Sequence, residues 1–159
     1  MKKTSVGKEQ AILSIRHFCA YQERAQQEVR DRLYELGMSK SEVEEILSDL
    51  ITENFLNEER FAISFAGGHF RIKGWGKLKI NHALYQKRVS AFNIKKALQS
   101  IDKNDYEQKL ADLAAKKWNV LKREPVLSRK AKTFAFLHQR GFEPAQIQPV
   151  IQKLNKTNS

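Results

Sequence analysis

The residues best suited to chemistry in this chain are cations without nearby anions. From Arg60 to Ile101 there is no Asp or Glu, while nine basic side chains occur: Arg60, Arg71, Lys73, Lys77, Lys79, Lys87, Arg88, Lys95 and Lys96. A surface stripped of carboxylates stays uniformly positive and suits a polyanion or an acidic protein face. The competing reading is a solvated basic face that keeps the chain soluble. Within the run, Arg71-Ile72-Lys73-Gly74-Trp75-Gly76-Lys77-Leu78-Lys79 sets one indole between two glycines and among four cations. Cations pair with backbone phosphates and an exposed ring stacks on bases. The flanking glycines let the backbone bend toward a partner. The alternative is an interhelix turn whose Trp caps the core, and the two readings coexist if one edge of the indole is buried. Lys77, Asn81 and Arg88 are expected to share a helical face, with Lys95 and Lys96 on the next helix. A second basic patch comprises Lys116, Lys117, Lys122, Arg123, Arg129, Lys130 and Lys132, relieved only by Glu124.

Catalytic chemistry has little support. His17, His69, His82 and His138 are isolated, and His17 with Cys19 lacks the spacing of a structural zinc site. No phosphate-binding loop of Walker type and no nucleophile elbow occurs. A metal-dependent nuclease would need carboxylate partners for Asp102 or Asp105, and no spacing supplies them. We therefore expect no enzyme, no metal and no cofactor.

The chain has 159 residues, 41% of them hydrophobic, and a net charge of +11. That composition supports a core and excludes a disordered polycation. Residues 1–59 carry 8 basic and 12 acidic side chains; residues 60–159 carry 21 and 6. Such asymmetry points to a nucleic acid, a membrane surface or an acidic protein. A single cysteine forbids an intrachain disulfide, and neither a signal peptide nor a long apolar span is legible. The expectation is a soluble cytoplasmic protein.

Apolar residues recur at steps of three and four throughout, which is the helical period. Helices are expected at 8–21, 25–36, 41–54, 58–72, 76–87, 91–101, 104–121, 127–140 and 144–154. Ser41 precedes Glu44 at a capping-box spacing. Asn57 and Ser90 suit N-caps, and Pro144 suits a first turn. Gly37 and Gly141 suit C-terminal caps.

The pattern also repeats. Val29, Leu33, Val43, Ile46, Leu47 and Leu50 map onto Ile80, Leu84, Ile94, Ala97, Leu98 and Ile101 with a shift of 51. With a shift of 104, Leu33, Gly37, Val43, Ile46, Leu47 and Leu50 map onto Leu137, Gly141, Ile147, Val150, Ile151 and Leu154, while Val29 meets the polar Thr133. We expect an all-α chain of three tandem three-helix repeats at 8–54, 55–102 and 103–155, with flexible tails at 1–7 and 156–159. Each unit is thin and gains a core by stacking on its neighbours. An elongated, curved array offers a long surface in place of a deep pocket, which favours a binder.

The run from Leu50 to Ala62, with Asn57, Glu58, Glu59, Arg60, Phe61 and Ala62, resembles the hallmark of the RecX family of recombinase regulators. Arg71, Gly74, Lys77 and Ile80 follow as that family's basic residues, glycine and basic-apolar helix. Residues 24–37 resemble its first unit and 130–147 its last. Asn54 stands where the family often has Gly, and Arg88-Val89 replaces a common Gly-apolar pair. The resemblance implies a small cytoplasmic protein, expected to be a monomer, that lies along the RecA–DNA filament. It implies modulation, mostly inhibition, of the recombinase, ATPase and co-protease activities. It also implies contact with single- and double-stranded DNA in some members, and no catalytic residues. An independent nucleic-acid-binding helical module is the alternative.

Overall fold

In the computed structural model, which describes residues 6–157, the three-to-four-residue apolar spacing is realised as nine α-helices among the described residues. They are α1 (Lys8–Tyr21), α2 (Gln26–Glu35), α3 (Lys40–Thr52), α4 (Glu58–Lys73), α5 (Lys77–Gln86), α6 (Ala91–Gln99), α7 (Lys103–Val120), α8 (Val126–Gln139) and α9 (Pro144–Thr157). No strand occurs among the described residues. The tails expected at 1–7 and 156–159 fall mostly outside the described residues, and α9 continues to Thr157.

Local chemistry sets the helix ends. The Asn57 side chain accepts from the Arg60 N–H at 2.8 Å, and Ser90 accepts from the Asn93 N–H at 3.3 Å. Pro144 opens α9, where a missing N–H removes no helical hydrogen bond. The capping box of α3 lies two residues before the expected one. Ser39, not Ser41, caps the helix, and its partner is Glu42, not Glu44. Both pairs have the Ser-x-x-Glu spacing. The chain leaves its turn at Gly37, so Ser39 is the residue still extended, at φ −72° and ψ 164°.

The internal repeat is visible in the backbone. Gly37, Arg88 and Gly141 occupy matching turns, with φ of 89°, 63° and 100°. After each, the next residue donates to the carbonyl four residues before the left-handed position: Met38 to Leu33, Val89 to Leu84, and Phe142 to Leu137, all within 3.1–3.2 Å. Two of these turns use glycine, which enters the left-handed region freely. The middle one forces an arginine there.

The closest helix packing falls within α1–α3, α4–α6 and α7–α9. The apolar interior is divided differently. Ala11, Ile15, Val29, Leu33, Val43, Ile46 and Leu50 form a core within the first three helices, together with Cys19, whose thiol is pushed up by burial. Helices α4–α9 share a second, continuous core. Phe70 of α4 and Phe142 both pack against Tyr106 of α7, with ring centroids 5.7 and 5.3 Å away. The second and third units are thus fused through apolar contact. The first unit contributes only Ala25 to that core. Phe55 and Leu56, at the start of the second unit, pack on the first core in turn, and the two units also meet through polar groups: Arg60 with Glu23, Lys87 with Glu28 at 3.5 Å, and Arg88 with Gln27 at 3.2 Å.

Candidate functional site

The segment Arg71–Lys79 is the turn between α4 and α5, and its glycines serve the fold. Gly74 ends α4 in the left-handed conformation, φ 67°. Gly76 does not lie open to a partner. A Cβ there would sit 2.3 Å from the Gly141 carbonyl carbon, and one on Gly141 would sit 2.4 Å from the Lys79 Cβ. The two turns interlock through backbone bonds, Gly76 N–H to Arg140 O at 2.8 Å and Leu78 N–H to Gly141 O at 2.9 Å. The Arg140 guanidinium donates to Lys73 O at 2.8 Å, and Lys109 Nζ donates to Arg71 O at 3.2 Å. The Lys77 N–H donates to Tyr106 Oη, whose hydroxyl donates to Glu143 at 2.5 Å. Burial first, and then the Glu143 hydrogen bond, push the Tyr106 phenol far up, so it remains a donor at neutral pH.

This lock presents Trp75 half-buried. Its ring lies 4.6 Å from that of His69, which stacks on Phe65 at 3.8 Å. Lys79 and Lys73 hold their ammonium groups 4.6 and 5.5 Å from the indole. Beside it a cleft of about 330 Å³ is lined by Trp75, Lys79, Phe136, Gln139 and Arg140, with no carboxylate in its wall. Lys117 and Arg140 each lie 5.0 Å from the Phe136 ring, which brings cations of the third unit to the same place. Two cationic regions far apart in sequence therefore meet at Trp75 and Phe136.

Other basic residues have different occupations. Lys87 faces Glu28, and Lys96 faces Glu59 at 3.5 Å. Arg88 leaves the face of Lys77 and Asn81, because its left-handed turn aims it at Gln27. Lys132 pairs with Glu124 at 2.7 Å. Arg129 lies 3.9 Å from the Trp118 ring and donates to Trp118 O at 2.9 Å. The Arg71 guanidinium folds back over Gly67, whose missing Cβ makes room. Lys95, Lys116, Lys122 and Arg123 are exposed, and Lys130 is half-buried.

The Asn57–Ala62 motif is occupied by the fold. Asn57 caps α4, and Glu59 meets Lys96. Arg60 reaches Glu23 and also donates to the Asn54 side chain and carbonyl at 3.2 and 3.0 Å. Phe61 and Ala62 enter the second core. Sequence reasoning did not single out Arg140, Lys109 or Phe136 as site residues. Arg140 and Lys109 follow no basic run, and their roles come from contacts 67 and 38 residues away.

Among the described residues no three His, Cys, Asp or Glu side chains are grouped to hold a metal. No helix among them is long and apolar enough to cross a membrane.

Tandem three-helix units with an acid-poor face define the structural class: a helical repeat. Family models described as the second and third three-helix domains of RecX match residues 57–98 and 95–151. The regulatory protein RecX of Prosthecochloris aestuarii is 30% identical over 137 residues, covering 86% of this chain and 88% of that one. That of Oceanobacillus iheyensis is 27% identical over 141 residues, but this chain spans only 52% of its length. The crystal structure of RecX from Lactobacillus salivarius has the same fold, with a TM-score of 0.85 at 23% identity, covering 93% of this chain and 96% of that one. The chain belongs to the RecX family.

Proposed function

We propose that this RecX-family regulator binds RecA on DNA and lowers its recombinase, ATPase and co-protease activities. We take the working units as 8–54, 55–102 and 103–155. The observation that carries the reading is the joining of the second and third units, through one core and the Gly76–Gly141 interlock, beneath a shared cationic cleft. A rigid positive face spanning two repeats can follow a polymer with repeating negative charge without ordering new backbone. The candidate contacts are Lys73, Trp75, Lys79, Lys117 and Arg140, with the exposed Lys95, Lys116, Lys122 and Arg123 extending the field. The test is RecA's DNA-dependent ATPase and strand exchange with and without the chain. Both are expected to fall. No change at several-fold excess and low salt removes the proposal.

A second reading, DNA binding without RecA, is favoured by the carboxylate-free cleft between Trp75 and Phe136. If about six cations meet phosphates, log K falls with log salt at a slope near −5 on duplex DNA. Lys73→Glu with Lys79→Glu should flatten that slope by about 2. A flat salt dependence for the unaltered chain removes the reading.

A further inference from the structure

α5 and α6 part around a groove of about 440 Å³, lined by Lys77, Asn81, Tyr85, Ile94, Lys95 and Leu98 among others, with no acidic residue in its wall. Val89, Ile94 and Leu98 supply an aliphatic floor. At the lip Tyr85 is 74% exposed. The internal repeat gives this groove two controls. In the first unit, Asn81 and Lys95 correspond to Arg30 and Glu44 by the shift of 51, and those two form an ion pair across α2 and α3 at 3.1 Å. In the third, Asn81 corresponds to Phe134, which packs on the core and stacks on His138 at 5.7 Å. The outer units thus fill this position with their own side chains. The middle unit places an amide and an exposed lysine there, and among the described residues no carboxylate pairs with Lys95.

We propose that the α5–α6 groove docks an acidic protein segment, with an apolar side chain seated between Tyr85 and Leu98 and a carboxylate between Asn81 and Lys95. The lysines match its charge, and Tyr85 offers a stiff aromatic wall of the kind that anchors interfaces. The aliphatic floor favours protein over DNA, since a phosphodiester backbone brings no aliphatic group to bury. The partner's identity rests on the RecA reading; the chemistry rests on the groove.

The test uses the full chain and RecA filaments on single-stranded DNA. Filament binding by the unaltered chain comes first, and its absence overturns the RecA reading and with it the partner named here. Given binding, Lys95→Glu is expected to weaken it about tenfold. Asn81→Arg with Lys95→Glu rebuilds the Arg30–Glu44 pair and should weaken binding as much while the melting temperature holds or rises. Full-strength binding by that double variant overturns the groove and leaves the RecA reading intact. A photoreactive p-benzoylphenylalanine in place of Tyr85 then reports the occupant. A cross-link to a segment with carboxylates beside an apolar side chain supports the proposal. A cross-link to DNA, to a segment without carboxylates, or to nothing overturns it.

Discussion

Thr133 and Gly76 show how single positions carry the repeat and its departures. Thr133 occupies the place of Val29 and Ile80, is fully buried, and its hydroxyl finds no hydrogen-bond partner among the described residues. A buried hydroxyl without a partner costs about 1–3 kcal/mol relative to a bonded one. Thr133→Val keeps the shape and removes the polar atom. It is expected to raise stability by about 1 kcal/mol, read as a shift in urea midpoint at constant slope. A lower midpoint would mean that the hydroxyl is satisfied. Gly76 tests the opposite case. The contact at 2.3 Å is with backbone, which does not swing aside as a side chain does. Gly76→Ala should cost about 1–3 kcal/mol through overpacking. The loss should be accompanied by faster exchange of the Leu78 amide, which donates to Gly141. Gly68, where a Cβ meets nothing within 4 Å, is the matched control and should tolerate alanine with only a small effect.

At the scale of helices, one carboxylate ties the first turns of α4 and α6 together, beside their shared apolar core and the Lys96–Glu59 contact. Glu58 accepts from the Ser90 N–H and from the Asn93 amide, both at 2.9 Å, so the first turn of α4 holds the first turn of α6. Burial raises the acid's pKa, but the Asn93 and Ser90 hydrogen bonds outweigh it and hold Glu58 below its ordinary 4.5. A folded value below the unfolded one stabilises the protein above the unfolded pKa, and that contribution is lost as pH falls through the folded value. Glu58→Gln is therefore expected to melt below the unaltered chain at pH 7, by roughly 1 kcal/mol for the weakened hydrogen bonds. The gap should close as acidification below about 4.5 protonates Glu58. Thermal melts at a series of pH values check this, and a gap that stays constant on acidification would discount the carboxylate's role. Helices of this kind were legible in the sequence because their signals are local. Apolar spacing, Asn57, Ser90, Pro144 and the left-handed glycines all act within a turn or two. Ser41 misled because Ser39 offers the same spacing two residues earlier. The candidate site was less legible. Its cations could be counted, but Lys87 meets a glutamate 59 residues away, and Arg140 reaches a carbonyl 67 residues away. No local pattern separates a lysine held inside the fold from one left for a partner.

For the whole molecule, the two cores imply two cooperative units where the repeat alone suggests three. The second and third units share an interior, so they cannot part without exposing Phe70 and Tyr106. The first unit has its own interior and is held to the rest by Ala25, by Phe55 and Leu56 at the chain link, and by the contacts of Glu23, Gln27 and Glu28 with Arg60, Arg88 and Lys87. These charged groups are partly exposed, where ion pairs contribute little and are screened by salt. Both tryptophans, Trp75 and Trp118, pack on the second core. Tryptophan fluorescence therefore follows α4–α9, while far-UV circular dichroism follows every helix. In about 1 M NaCl, where the screening length is only about 3 Å, the two probes should give separate urea transitions, with dichroism lost first. At low salt, where the Lys87 contact is not screened, Glu28→Ala should move the dichroism transition lower, because it removes that contact without touching either core. Coincident transitions at every salt concentration, in both the unaltered chain and Glu28→Ala, would show that the junction couples the units as strongly as a shared apolar interior does.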